Sequence, residues 1–232
     1  CLVVSLLPAG VIFAASSGDW KGFRWSLDDA GVLRIDGTGP MPTISGTSSR
    51  PWDSLKDQIK AVQIADGITT ISDQAFMNCA SLTAVHIPEG VTSIGTSAFN
   101  GCKNLAQVEL PESLQKLSYL PFANCESLTE ITVPEQVTEL GIMVFSGCTN
   151  LTEVYLNCSI TELPIQPFNG CTNVEILTLP DTLTTICDNA FRGMGKLRQI
   201  TLPAGLVSIG DNAFTDCKSL KGVILPDGLE TI

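Results

Sequence analysis

The chain has 232 residues, 44% of them hydrophobic, and a formal net charge of −11 at pH 7. With a sequence pI near 4.4, it lacks the basic surface that displaces counterions from nucleic acid or docks a protein on anionic lipid heads. Length alone allows one large domain or two small ones.

Residues 1–17 form an apolar run that ends in small residues, Ala14-Ala15-Ser16-Ser17. This pattern reads as the h-region and cleavage region of a secretory signal that lacks its Met and basic segment. A buried first strand and a lipid-anchored Cys1 are the alternatives, although a lipidated cysteine is normally followed by a polar tether. Once such a signal is removed, the rest of the chain is expected to be secreted or surface-attached, without inserting in a membrane.

Residues 18–52 do not repeat. Phe23, Trp25 and Leu27 alternate with polar residues, Asp28-Asp29-Ala30-Gly31 supplies a turn, and Leu33 and Ile35 alternate again. That predicts a β-hairpin, with Trp20 and Trp25 placed to cover the first coil of the repeats downstream. Gly37 to Arg50, rich in Gly, Pro, Ser and Thr, predicts a loop.

From residue 53 to 232 the chain repeats. Phe76, Phe99, Phe122, Phe145, Phe168, Phe191 and Phe214 recur at an unbroken interval of 23 residues. Three residues beyond each lies Cys79, Cys102, Cys125, Cys148, Cys171, Met194 or Cys217, and further apolar columns keep the same register. An uninterrupted period of this length means a solenoid whose coils bury their apolar faces only against one another. Within each unit, a segment such as Leu82-Thr83-Ala84-Val85-His86-Ile87 has the strand period of two. The proline that usually follows cannot donate a ladder hydrogen bond and ends the strand. A short return segment such as Val91-Thr92-Ser93-Ile94 comes next. Asp73-Gln74-Ala75-Phe76 then predicts one helical turn with the Asp as its cap. The expectation is one curved parallel sheet of about eight strands, with all seven Phe buried and stacked. Ile232 falls just before the next Phe motif and no polar capping unit closes the solenoid, so the sequence reads as a fragment that is incomplete at its C-terminus.

Ile94-Gly95-Thr96-Ser97-Ala98-Phe99-Asn100-Gly101-Cys102, and Ile209 through Cys217, resemble the 23-residue BspA-like type of the leucine-rich repeat superfamily. The resemblance covers 53–232 and implies a leucine-rich-repeat solenoid in a bacterial surface protein that binds other proteins or host matrix. It carries over no catalytic residue and no cofactor. The units around Phe122, Phe145 and Phe168 depart from the motif, with Pro121, Val144 and Pro167 where Ala is usual.

Chemistry-bearing residues are sparse. The single histidine, His86, sits on the outward side of a strand, too isolated for a triad or a zinc site. The cysteine column reads as reduced, buried thiols, because Met194 fills the same slot and a bridged column would orphan some members. Glu89, Glu112, Glu135, Asp181 and Asp227 follow the prolines in single file, with no second row of oxygens to complete a Ca²⁺ shell. No metal, cofactor or enzymatic activity is expected.

Two functional classes stay open: a module that presents its sheet face to a protein or glycan ligand, and a passive stalk within a larger surface protein. The outward strand positions assigned to a partner are Gln107, Glu109, Glu130, Thr132, Glu153, Tyr155, Thr178, Gln199 and Thr201. A second candidate surface is the column Tyr119, Ile142, Ile165, which stands where regular units carry polar residues. These three side chains either fold under Pro121 and Pro167 or form an exposed apolar patch, and solvent exposure decides which.

Overall fold

The computed structural model describes residues 14–44 and 50–232, so most of the signal-like run lies outside the described residues. The chain enters through three antiparallel strands, β1 (Ala14–Trp20), β2 (Phe23–Asp28) and β3 (Val32–Asp36). The expected hairpin is β2–β3, turning where Asp28 Oδ1 accepts from the N–H groups of Ala30 and Val32. Strand β1 lies beside it and takes in Ala14–Ser17, the end of the apolar run, for which a first strand was only the alternative reading.

The solenoid begins beyond this hairpin. A two-residue strand β4 (Gly39–Pro40) precedes a first coil carrying β5 (Ala61–Ile64) and β6 (Ile68–Ile71). The second coil has β7 (Ala84–His86) and β8 (Ser93–Ile94), and the third has only the return strand β9 (Lys116–Leu117). Coils four to six carry β10 (Glu130–Val133) with β11 (Glu139–Leu140), β12 (Glu153–Leu156) with β13 (Glu162–Leu163), and β14 (Ile176–Thr178) with β15 (Thr185–Ile186). The seventh has the return strand β16 (Ser208–Ile209).

Strand pairing between coils is parallel, and β3 pairs with β5, so the entry sheet continues directly into the solenoid. The single eight-stranded sheet is corrected in two respects. The face strands form two ladders, β3-β5-β7 and β10-β12-β14, because the third coil's rung makes no ladder bonds. The return strands build parallel stacks of their own, β4-β6-β8-β9-β11 and β13-β15-β16.

The turn around each Phe also differs from a capped helical turn. Alternate N–H groups leave the coil: those of Gln74, Phe76 and Asn78 donate to Thr96, Ala98 and Asn100 of the next coil at 2.8, 2.8 and 2.7 Å. The residues between, Ala75, Met77 and Cys79, bond three residues back within the coil. Gln74 and Asn78 take positive φ (57° and 60°) to make this alternation, a conformation that Asn tolerates better than most residues. Asp73 is therefore no helix cap; its Oδ1 accepts from Thr96 N at 2.6 Å, and Asp188 does the same for Asp211 N at 2.9 Å. The alternation also explains Pro121 and Pro167. The position's N–H serves only the in-coil bond, while its carbonyl still accepts from Phe99 or Phe145 of the preceding coil. Gly141 is required by close approach, since a Cβ there would strike the Ser118 carbonyl.

Phe76 through Phe191 are fully buried, and ring stacking runs unbroken from Phe76 to Phe168 with centroids 5.2–6.1 Å apart. Phe214 departs from the expectation: it is only partly buried, although it contacts Phe191 at 5.1 Å. At the other end Trp52, one residue before the Phe register, heads the column. It stacks on Phe76 at 6.0 Å, meets Trp20 and Trp25 edge-on, and donates its indole N–H to the Ala75 carbonyl. Buried Arg50 donates to the carbonyls of Gln74 and Met77 and pairs with Asp53, sealing the turn stack beside it.

Candidate protein-interaction surface

The strand period buries Ile131, Val133, Val154, Leu156 and Leu177 and turns the intervening residues outward. In the β10-β12-β14 ladder Glu130 lies beside Glu153, Thr132 beside Tyr155, and Tyr155 beside Thr178. Five of the sequence-assigned face residues thus form one contiguous patch. Gln107 and Glu109 are exposed on the third coil, and Gln199 and Thr201 on the seventh, but their rungs lie outside the ladders. The Tyr155 hydroxyl donates to Glu153 Oε2 at 2.6 Å. That bond, aided by the surrounding negative charge, raises the phenol pKa.

Along this face and its proline edge runs a groove made of two adjoining depressions, of about 740 and 550 Å³. The first is lined by His86, Glu89, Gln107, Glu109, Pro111 and Glu112, the second by Glu112, Thr132, Glu135, Asn157, Thr178 and Asp181, among others. Glu112 is common to both. The groove was not read from the sequence; its trace there is the Pro-Glu column, whose Pro111, Glu112, Pro134, Glu135, Pro180 and Asp181 line it together with the strands that they follow. Glu89 has a structural task as well, accepting from the N–H groups of Glu112 and Ser113 of the next coil.

Tyr119, Ile142 and Ile165 are exposed at 46%, 40% and 40%, which decides for a patch over burial beneath the prolines. These side chains cannot make the coil-to-coil bond that Asp73 and Asp188 make. Beside them Leu120 and Met143 adopt positive φ (55° and 56°), an unusual conformation for large apolar residues.

The cysteine column is structural. Cys102, Cys125, Cys148, Cys171 and Cys217 each donate Sγ–H to the carbonyl of the Phe 26 residues earlier, at 3.1–3.4 Å. The slot therefore favours a small apolar side chain with a weak donor, more specific than the hydrophobe inferred from Met194. Burial pushes the Cys79 and Cys125 thiols up to about 12. Cys217 corrects the expectation of a wholly hidden column, being partly exposed. All eight described cysteines are free. His86 is exposed, as expected. Among the described residues no group of three or more His, Cys, Asp or Glu is placed to hold a metal ion, and no helix is long and apolar enough to cross a membrane.

Comparison with known proteins agrees with this geometry. The model of the BspA-type leucine-rich repeat region matches residues 55–175 and 160–232, in six copies. A solved leucine-rich repeat protein from Bacteroides ovatus aligns with a TM-score of 0.74 at 25% identity, over 95% of this chain and 60% of that one. The T. pallidum leucine-rich repeat protein aligns with a TM-score of 0.53 at 27% identity, over 91% and 84%. A leucine-rich repeat protein from Eubacterium ventriosum shares the fold at 20% identity and a TM-score of 0.50, over 91% of each chain. No curated protein matches the chain. With the family model spanning most of the sequence and its repeat visible coil by coil in the structure, this chain belongs to the BspA-type leucine-rich repeat family.

Proposed function

We propose that the chain is a non-enzymatic binding module of a secreted or surface-attached bacterial protein, engaging an extracellular protein or glycan through its sheet face in an adhesive role. The observation that carries this is the contiguous face of Glu130, Thr132, Glu153, Tyr155 and Thr178. Glu130 and Glu153 are direct cross-strand neighbours, and like charges so placed destabilise a sheet. A passive stalk gains nothing from that arrangement, whereas a recognition face does. The leucine-rich repeat is a general protein-interaction module, and the apolar leader supports export. Gln107, Glu109, Gln199 and Thr201 extend the face on either side.

The exposed column Tyr119, Ile142 and Ile165 favours a second contact surface on the turn edge, since contiguous apolar side chains on a soluble surface commonly mark an interaction site.

The test is capture of extracellular proteins or glycans by the chain and by its Thr132→Trp/Thr178→Trp variant. Both threonines are exposed, so the variant should fold normally and lose the captured partner. Equal capture by the two proteins would remove the sheet face from the binding role.

A further inference from the structure

The groove beside the sheet face has a length, a charge and a set of neighbours that together specify an occupant. It crosses coils two to six, four spacings of about 4.8 Å, or roughly 19 Å. An extended polypeptide advances about 3.3 Å per residue, so about six residues fill it. Glu89, Glu109, Glu112, Glu135 and Asp181 line it, with His86 at one end and no Lys or Arg along either depression.

Lys103 pairs with Glu126, Lys116 with Glu139, Lys196 with Glu175, Arg34 with Asp28 and Arg50 with Asp53, all outside the groove lining. Among the described residues none of the five groove carboxylates has an ion-pair partner, so the groove presents an unneutralised row of negative charge. Electrostatic complementarity of this kind steers partners and rejects like-charged ones. Beside the groove, Tyr155 is fixed by its bond to Glu153 between Thr132 and Thr178, two residues of the groove wall. An aromatic ring held next to carboxylates suits a Lys or Arg side chain, which gains a cation–π contact in addition to charge pairing.

We infer that this groove binds an extended, Lys/Arg-rich polypeptide segment of a partner protein, lying along the solenoid axis. The inference rests on the sheet-face reading above and names the class of partner that this face takes.

The experiment is fluorescence anisotropy of the full 232-residue chain with a fluorescein-labelled octapeptide of alternating lysine and serine, and with its glutamate–serine counterpart. The lysine peptide should bind, and raising the salt from about 50 to about 500 mM should weaken it about tenfold or more by screening. The glutamate peptide should not bind. Glu109→Gln/Glu112→Gln/Glu135→Gln should lose about tenfold in affinity. A control with the same charge change on exposed residues elsewhere, Asp29→Asn/Asp57→Asn/Glu230→Gln, should stay within about twofold. Equal losses in the two variants would show attraction to net charge alone and overturn the inference, as would absence of lysine-peptide binding. If the lysine peptide fails while the threonine double variant still abolishes partner capture, the cationic specificity falls and the sheet-face reading stands. If neither responds, both fall.

Discussion

Replacing Phe145 by Ala tests the physical basis of the solenoid. Its ring is fully buried and lies between Phe122 at 6.1 Å and Phe168 at 5.9 Å, with interplanar angles of 14° and 8°. Removal forfeits the transfer free energy of the ring and leaves a cavity in a column that cannot collapse. The coils on either side are held apart by turn hydrogen bonds, Phe145 N to the Pro167 carbonyl and Phe122 N to the Val144 carbonyl. Phe→Ala at such a site costs about 3–5 kcal/mol. Phe214→Ala is the internal comparison: that ring is partly exposed and meets Phe191 on one side, so about 1–2 kcal/mol is expected, scaled down from the same core value. Urea unfolding followed by circular dichroism reads both. A fall in the denaturant slope for Phe145→Ala alone would add that the central coil couples the two halves, since solenoid cooperativity passes through nearest neighbours. A loss below about 1 kcal/mol at Phe145, or equal losses at both sites, would refute the reasoning.

Thiol labelling in the native protein should spare Cys79, Cys102, Cys125, Cys148 and Cys171, and unfolding should expose them to quantitative reaction; labelling of the native column contradicts its burial. Because the Cys79 and Cys125 pKa values are raised from about 9 to about 12, the unfolded chain loses these protons first as pH rises. Stability is therefore fully present below pH 9 and declines between 9 and 12, by about 1.4 kcal/mol per pH unit for each such thiol at most; a flat profile in denaturant midpoints excludes this. Asp73→Ala removes the acceptor for Thr96 N and should cost about 0.5–1.5 kcal/mol, whereas an unchanged midpoint would return Asp73 to a solvated role. Ile142→Asp should leave the midpoint within about 0.5 kcal/mol, as surface changes do. It should also reduce self-association or partner binding in sedimentation; a grossly unfolded variant contradicts the exposure of that column.

The period of 23 made the fold legible, because a solenoid has one dominant degree of freedom and every apolar column reports on it. What the sequence concealed were features set between coils. Asp73 reads as a helix cap because that is the commoner use of Asp before a turn, and the competing donor, Thr96 N, belongs to the next coil. Trp52 lies one residue off the Phe register, so column counting passes over it, although it is the residue that heads the aromatic stack. The third coil contributes no face strand even though Gln107-Val108-Glu109 alternates as well as its neighbours do. The face residues were legible by strand period alone, while the groove was not, since it needs residues of successive strands and of the proline edge brought together across coils.

The hydrogen-bond pattern also accounts for why the outward face can vary on this scaffold. Coil spacing is held by three ladders that are independent of the outward face: the Phe turns, the return strands, and the Cys thiols donating to Phe carbonyls. In the third coil, where the face ladder is absent, the turn bonds Phe99 N to Pro121 O and Phe122 N to Val144 O still stand at 2.8 and 3.1 Å, and Phe99 and Phe122 stack at 5.3 Å. Stability is thus invested in the turn edge and the interior. Most outward strand and proline-edge positions bear little of it, Glu89 with its bonds to Glu112 and Ser113 of the next coil excepted, so their side chains can change charge and size from coil to coil without disturbing the stack.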